Sequence, residues 1–107
     1  MPASLLLAIA IAAEVAGTLA LKYTDGFTRP APSLVVVAGY ALSFWMLALV
    51  LEELPIGLTY AIWAAVGTAL IAAIGIVALG EPAGTLKLAS LALIIAGVVG
   101  LNLAGSH

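Results

Sequence analysis

Glu14 is the one ionisable residue inside the first long apolar run of this sequence, which has no other charged side chain before Lys22. In a helix it would lie about ten residues, or roughly 15 Å, into the run. An acid at the centre of a membrane-spanning helix costs roughly 2.5–3.5 kcal/mol, and such a residue usually serves an ion or proton pathway. The lone carboxyl group therefore predicts binding of a proton, a cation or each in turn.

The residues that would share a helix face with Glu14 are mostly small. They lie three, four or seven positions away and are Leu7, Ala10, Gly17, Thr18 and Leu21. Gly17 and Thr18 lie one turn beyond the carboxyl group and predict space for a ligand or for a closely packed helix. We take the first four members of this set as candidate lining residues of a substrate site.

Two further apolar runs offer aromatic and hydroxyl side chains at helical spacing. The candidates are Tyr40 and Ser43 in the second run, and Tyr60 and Trp63 in the third. Aromatic rings beside a carboxylate suit a weakly hydrated organic cation, through cation–π contact and dispersion. A Tyr hydroxyl can also donate a hydrogen bond to the carboxylate and hold its orientation.

Each of these residues also has a purely structural interpretation. A protonated Glu14 can link helices by hydrogen bonds, and aromatic residues can anchor helices at the membrane interface. Tyr23, Phe27 and Trp45 fit the anchoring role by position. The aromatic candidates for the site lie several residues inside their runs, which favours the functional interpretation for them.

Lipid is the solvent that the composition indicates. Of 107 residues, 65% are hydrophobic and 7% charged, with a mean hydropathy of +1.33, whereas soluble domains carry about 25% charged residues. Four runs, at about 4–21, 33–51, 57–79 and 87–104, are long enough to cross a bilayer as helices. We therefore expect an all-α membrane protein, with one four-helix transmembrane domain over 1–107 and antiparallel neighbouring helices.

Several classes of function are disfavoured by what the sequence lacks. The net charge is −2 and there is no basic run, which argues against a nucleic-acid partner. Without Cys, and with a single terminal His, no nucleophile–base pair or metal cluster can be assembled, so we expect neither an enzyme nor a cofactor. Because no Lys or Arg precedes Lys22, we expect the first run to be a retained helix and not a signal peptide.

The fourth run has small residues along one face. Ser90 and Gly97 are seven positions apart, with Ala96 beside them, and small residues permit close helix association in lipid. Secondary transporters usually place a central site between two related halves. A homodimer formed through this helix would supply the second half and bring two copies of Glu14 to one cavity, where protons and an organic cation compete. The alternative is packing within one chain.

Several short motifs, in order and spacing, resemble the small multidrug resistance family of bacterial exporters over essentially the whole chain. The matching segments are AEVAGT at 13–18, Lys22, GFTR at 26–29, Tyr40, SFW at 43–45, LPIG at 54–57, YAIW at 60–63, Val66, Gly67, Gly80, Glu81, AGV at 96–98, Asn102 and Leu103.

The resemblance implies a dual-topology antiparallel homodimer in a bacterial inner membrane. It implies export of hydrophobic or quaternary ammonium cations by proton antiport, in which Glu14 binds proton and substrate in turn. In such exporters Tyr60 and Trp63 would line the substrate site and Tyr40 would gate or orient it. The third helix would bend at Val66 and Gly67, and the fourth helix would dimerise.

The residue three positions after the acid separates two branches of that family. The guanidinium branch usually has Trp there, whereas this chain has Gly17, which is similar to the quaternary-ammonium branch. Two positions depart from the multidrug pattern, since Ser4 replaces a frequent aromatic residue and Ala65 replaces a frequent bend glycine. These departures predict weaker binding of large planar cations and slower exchange between states. The alternatives are a guanidinium or small polyamine exporter, and a non-transport structural or proteolipid subunit.

Overall fold

The computed structural model describes residues 1–104 as an all-helical chain. Its helices are α1 (Ala3–Leu21), α2 (Pro30–Val50), α3 (Ile56–Ala78) and α4 (Thr85–Leu103). All four are long and apolar enough to cross a membrane. The predicted class, an all-α protein with four membrane-spanning helices, is confirmed. Residues 105–107 of the expected domain lie outside the described residues.

Two prolines lie at the start of α2. α2 begins at Pro30, three residues before the predicted start at 33, and includes Pro32 in its first turn. Proline is tolerated there because the first N–H groups of a helix have no intrahelical acceptor. Arg29, which precedes the proline, is extended with φ −95° and ψ 118°, as steric contact with the proline ring requires.

The first compact unit runs from Met1 to Glu53 and consists of α1 packed along α2. Its buried apolar residues are Leu7, Ala10, Ile11, Val15, Val36, Met46 and Val50. The two helices approach closely at Gly39, where a Cβ atom would lie 2.8 Å from the Ala13 carbonyl oxygen. Glycine at this position is what permits the approach.

A compact turn joins α1 to α2. Thr24 is 2% exposed, and its hydroxyl donates to the Leu21 carbonyl at 3.0 Å and accepts from the Phe27 N–H at 3.2 Å. Asp25, Gly26 and Phe27 all have positive φ, at 49°, 68° and 67°. The hydrogen bonds of Thr24 hold this left-handed segment, which is unfavourable for a bulky residue such as Phe.

The second compact unit begins at Leu54 and consists of α3 packed on α4. The Glu81 N–H donates to the Gly75 carbonyl at 3.0 Å, and Lys87 Nζ lies 3.5 Å from Glu81 Oε1. A Cβ at Gly75 would lie 2.5 Å from the same carboxylate oxygen, so the glycine leaves room for the Glu81 side chain. The expectation that both units form one domain stays a prediction.

Candidate functional site

Glu14 lies in the middle part of α1 and is half-buried. Its carboxylate oxygen Oε1 accepts a hydrogen bond from the Thr18 hydroxyl at 2.9 Å. The two residues are four positions apart, which puts them one above the other on a helix. The carboxyl group is therefore held by a neighbour on its own helix.

Tyr40 of α2 extends this contact to the second helix. Its hydroxyl lies 2.7 Å from the Thr18 hydroxyl. A hydroxyl group has one proton to donate, and Thr18 donates its proton to Glu14. While Thr18 donates to Glu14 it can only accept from Tyr40, so a chain of hydrogen bonds then runs from Tyr40 through Thr18 to Glu14.

Gly17 explains how the Tyr40 ring reaches this position. A Cβ at Gly17 would lie 3.0 Å from Cδ1 and Cε1 of Tyr40, so the ring lies directly against the backbone of α1. Of the two interpretations of Gly17, space for a ligand or a closely packed helix, the first unit shows the packed helix. The ring also contacts Phe44, with centroids 6.5 Å apart and an interplanar angle of 57°.

Gly39 is a residue that sequence reasoning missed. It precedes Tyr40 and sets the distance between the helices at the level of Ala13. The available signal was an isolated glycine inside a helical run, which often marks a close backbone approach when it lies between packed helices.

The structure brings Glu14, Gly17, Thr18 and Tyr40 into one cluster, which we call the Glu14 cluster. Ser43 is fully buried. Its hydroxyl donates to the Tyr40 carbonyl at 3.0 Å, which is a hydrogen bond within α2. Leu7 and Ala10, the candidates before Glu14, are buried in the first unit. Their roles in a substrate site stay predictions.

The candidates of α3 differ from one another in exposure. The Tyr60 side chain is 72% exposed, whereas Trp63 is half-buried. Val66 is exposed and Gly67 buried, and α3 continues as a helix through both positions. Substrate contact at the aromatic residues and bending at 66–67 stay predictions.

The predicted dimer face of α4 is open. Ser90, Ala96 and Gly97 are all exposed, and α4 has no buried residue. A Cβ at Gly97 would meet no atom within 4 Å. Among the described residues of the second unit, 54–104, none covers Gly97, and the role of this face stays a prediction.

The Glu14 cluster has simple chemical capacities. A carboxyl group accepts a proton or attracts a cation, and nearby hydroxyl groups orient it. Among residues 1–104, no group of three or more His, Cys, Asp or Glu side chains could hold a metal ion. The arrangement is therefore suited to exchange of a proton and a cation at one carboxyl group.

Comparison with known proteins gives consistent matches along the chain. The family model for "Small Multidrug Resistance protein" matches residues 3–94. The "Multidrug resistance protein mmr" of Mycolicibacterium paratuberculosis is 47% identical over 96% of this chain and 97% of its own length. The "Quaternary ammonium compound-resistance protein QacF" of Klebsiella aerogenes is 46% identical over 91% of this chain and 88% of its own. The "Guanidinium exporter" of Escherichia coli (strain K12) is 44% identical over 92% of this chain and 94% of its own length.

Proposed function

This chain belongs to the Small Multidrug Resistance protein family, and on that premise we propose that it exports organic cations in exchange for protons. It is a multi-pass protein of the bacterial inner membrane. The observation that carries the proposal is the half-buried carboxyl group of Glu14, held inside an apolar helix by the Thr18 hydroxyl. Ionisable groups within membrane helices usually mark a substrate or proton pathway.

Competition between proton and cation at Glu14 provides the coupling. The ionised carboxylate attracts a cation strongly because the surrounding dielectric is low, and protonation removes that attraction. A proton arriving from one side therefore displaces the cation, and a cation arriving from the other side displaces the proton. Antiport follows if the site opens to one side of the membrane at a time.

Hydrophobic and quaternary ammonium cations are the substrates we favour. Such cations are weakly hydrated, so they enter an apolar site at low desolvation cost and gain dispersion and cation–π contact with aromatic rings. The relatives include proteins named for multidrug and for quaternary ammonium compound resistance. Gly17 supports the same choice, because it stands where guanidinium exporters usually have Trp. In this proposal Tyr60 and Trp63 supply the rings.

The working unit in this proposal is an antiparallel homodimer. The exposed small residues of α4, with open space beside Gly97, support association through that helix. Two chains would supply two copies of Glu14 and the two related halves that a secondary transporter needs.

Export of guanidinium or a small polyamine is the second candidate function. One observation favours it, since the "Guanidinium exporter" relative is 44% identical over nearly the same share of the chain as the quaternary ammonium relative. Growth of a sensitive bacterial strain that expresses the chain separates the two functions. Protection against benzalkonium-type cations alone supports the first candidate, and protection against guanidinium alone supports the second.

Binding of tetraphenylphosphonium to the purified dimer, with Glu14→Gln as the variant, tests proton exchange. We expect binding to strengthen as the pH rises, because fewer protons then compete for the carboxyl group, and each binding event to release protons into weakly buffered solution. The variant should show neither effect. Glu14→Asp is the matched control, because it keeps the carboxyl group. Binding by wild type without proton release would contradict the proposal.

A further inference from the structure

We propose that Thr18 is a positioning residue through which Tyr40 acts on Glu14, so that the tyrosine of α2 controls the carboxyl group of α1 without contacting it. The inference deepens the proposed function and rests on it, because it assigns a control to the same proton and cation site. It assigns Tyr40 a role that acts by way of Thr18, in place of an independent contact with substrate.

The two distances define the order of the contacts. The Thr18 hydroxyl donates to Glu14 Oε1 at 2.9 Å, and the Tyr40 hydroxyl lies 2.7 Å from the Thr18 hydroxyl. The Tyr40–Thr18 distance is typical of a hydrogen bond between oxygen atoms, and the Thr18–Glu14 distance lies towards the longer end of the usual range. In this structure the Thr18 hydroxyl lies between the Tyr40 hydroxyl and the carboxylate, and direct donation from a Tyr hydroxyl to the carboxylate stays a prediction.

While Glu14 is ionised, the number of hydroxyl protons determines which group donates in each hydrogen bond. An ionised carboxylate only accepts, Thr18 has one proton, and Tyr40 has one proton. Thr18 can donate to the carboxylate and still accept from Tyr40. Donation from Tyr40 polarises the Thr18 hydroxyl and strengthens its bond to the charged oxygen, as in other hydrogen-bond chains in a low dielectric.

The packing around Tyr40 holds its hydroxyl in place. The ring contacts Gly17 of α1, where a Cβ would lie only 3.0 Å from two ring atoms, and Phe44 of α2, with ring centroids 6.5 Å apart. The carbonyl of Tyr40 accepts from the buried Ser43 hydroxyl. A shift of α2 relative to α1 would therefore move the Tyr40 hydroxyl away from Thr18 and weaken the chain of hydrogen bonds.

Thr18 has an alternative partner that it does not use. A helical Thr commonly donates to the backbone carbonyl four residues earlier, which here belongs to Glu14 itself. The structure instead has the donation going to the Glu14 side chain. This donation orients the carboxyl group of Glu14, which is the group that binds proton and cation in the proposed function.

A double-mutant cycle on the purified dimer tests the inference, with tetraphenylphosphonium affinity at neutral pH as the readout. We expect Thr18→Val to weaken binding about tenfold, the size of effect given by loss of one hydrogen bond to a charged group. Thr18→Ser keeps the hydroxyl and should bind within about twofold of wild type, on the same scale. Tyr40→Phe should weaken binding less than Thr18→Val.

The decisive variant is Thr18→Val combined with Tyr40→Phe. If Tyr40 acts only through Thr18, the double variant binds as the Thr18→Val variant does, because the second change has nothing left to remove. Multiplied losses would show that Tyr40 contacts the substrate independently and would overturn the inference. A Thr18→Ser variant as weak as Thr18→Val would also overturn it, since packing and not the hydroxyl would then matter.

Two controls keep the outcomes separable. If Thr18→Val does not fold, as judged by elution as a dimer in detergent, Thr18→Ala completes the cycle instead. Proton release by wild type on cation binding reports on the proposed function alone. Proton release with multiplied losses rejects only the control through Thr18, whereas absent proton release rejects the proposed function.

Discussion

Gly39 of α2 lies so close to Ala13 of α1 that a Cβ on the glycine would come within 2.8 Å of the alanine carbonyl oxygen. The contact is with backbone, which cannot rotate away as a flexible side chain can. It sets the spacing of the two helices one residue before Tyr40. The geometry of the Glu14 cluster therefore depends on a glycine that carries no functional group.

Replacing that glycine should separate the helices. We expect Gly39→Ala to lower the free energy of unfolding by about 1–3 kcal/mol, the usual cost of overpacking, and to weaken cation binding because Tyr40 moves away from Thr18. Thermal unfolding in detergent measures the first effect and tetraphenylphosphonium titration the second. The matched control is Gly57→Ala, whose Cβ would meet nothing within 4 Å and which should not destabilise the helix. Equal effects of both changes would reject the interpretation.

Two buried threonines differ in whether their hydroxyl is paired. Thr24, 2% exposed, makes two hydrogen bonds, whereas Thr59, 0% exposed, has a hydroxyl without a hydrogen-bond partner in the described structure. Thr→Val conserves the shape and removes the hydroxyl. We expect Thr24→Val to cost about 1–3 kcal/mol because the backbone of the turn loses its partners, and Thr59→Val to be neutral or stabilising.

Chemical or thermal unfolding of the two threonine variants in the same detergent checks this contrast. Each serves as the control for the other, since the substitution is identical. A Thr59→Val variant that loses as much stability as Thr24→Val would mean that the Thr59 hydroxyl has a partner, such as a bound water, in the folded protein.

Two glycines of the segment between α3 and α4 should respond differently to alanine. Gly80 has φ +72°, whereas Gly84 has φ −69° and lies before α4. A side chain in the left-handed region costs roughly 1–2 kcal/mol, so we expect Gly80→Ala to destabilise by about 1 kcal/mol. Gly84→Ala should change stability by only about a few tenths of a kcal/mol, because the poorer N-cap preference of Ala is offset by the smaller freedom it leaves in the unfolded chain. Thermal unfolding of both variants tests the difference, and a larger loss in Gly84→Ala would contradict it.

Ala65 offers a test of the expected bend in α3. It is 3% exposed and stands where the family pattern often has a glycine. Ala65→Gly should lower stability by about 1 kcal/mol, from helix propensity, and should speed exchange between states because the helix bends more easily. Turnover of cation transport in vesicles measures the rate. Unchanged turnover alongside lowered stability would show that position 65 does not limit the exchange.

Ser4 tests the second departure from the family pattern. The Ser4 side chain is exposed near the start of α1, so a larger residue can be placed there without disturbing the buried core. We expect Ser4→Tyr to tighten binding of large planar cations several-fold through added aromatic contact, with little change for small tetraalkylammonium ions. Ser4→Leu controls for size alone, and an equal gain in that variant would remove the aromatic explanation.

Much of the fold was predictable because lipid imposes one simple rule. Apolar runs of sufficient length become helices, since backbone polar groups must be satisfied within the segment. The predicted start of α2 at 33 is three residues late, because a helix accepts Pro30 and Pro32 in its first turn.

The candidate site was predictable in its residues but not in its contacts. Spacing put Glu14, Gly17 and Thr18 on one face, because that follows from a single helix. Whether Tyr40 would meet Glu14 or Thr18 depends on the spacing of two helices, which Gly39 sets. The unpaired hydroxyl of Thr59 likewise depends on packing between elements and leaves no signal in local sequence.

The absence of buried residues in α4 has a consequence for how the protein responds to its abundance. If two chains associate through this helix as proposed, the fraction of chains in dimers follows mass action within the plane of the membrane. Sparse copies would leave α4 facing lipid, and crowded copies would cover it. As gene expression raises the protein-to-lipid ratio, the number of competent exporters would then rise more steeply than the number of chains.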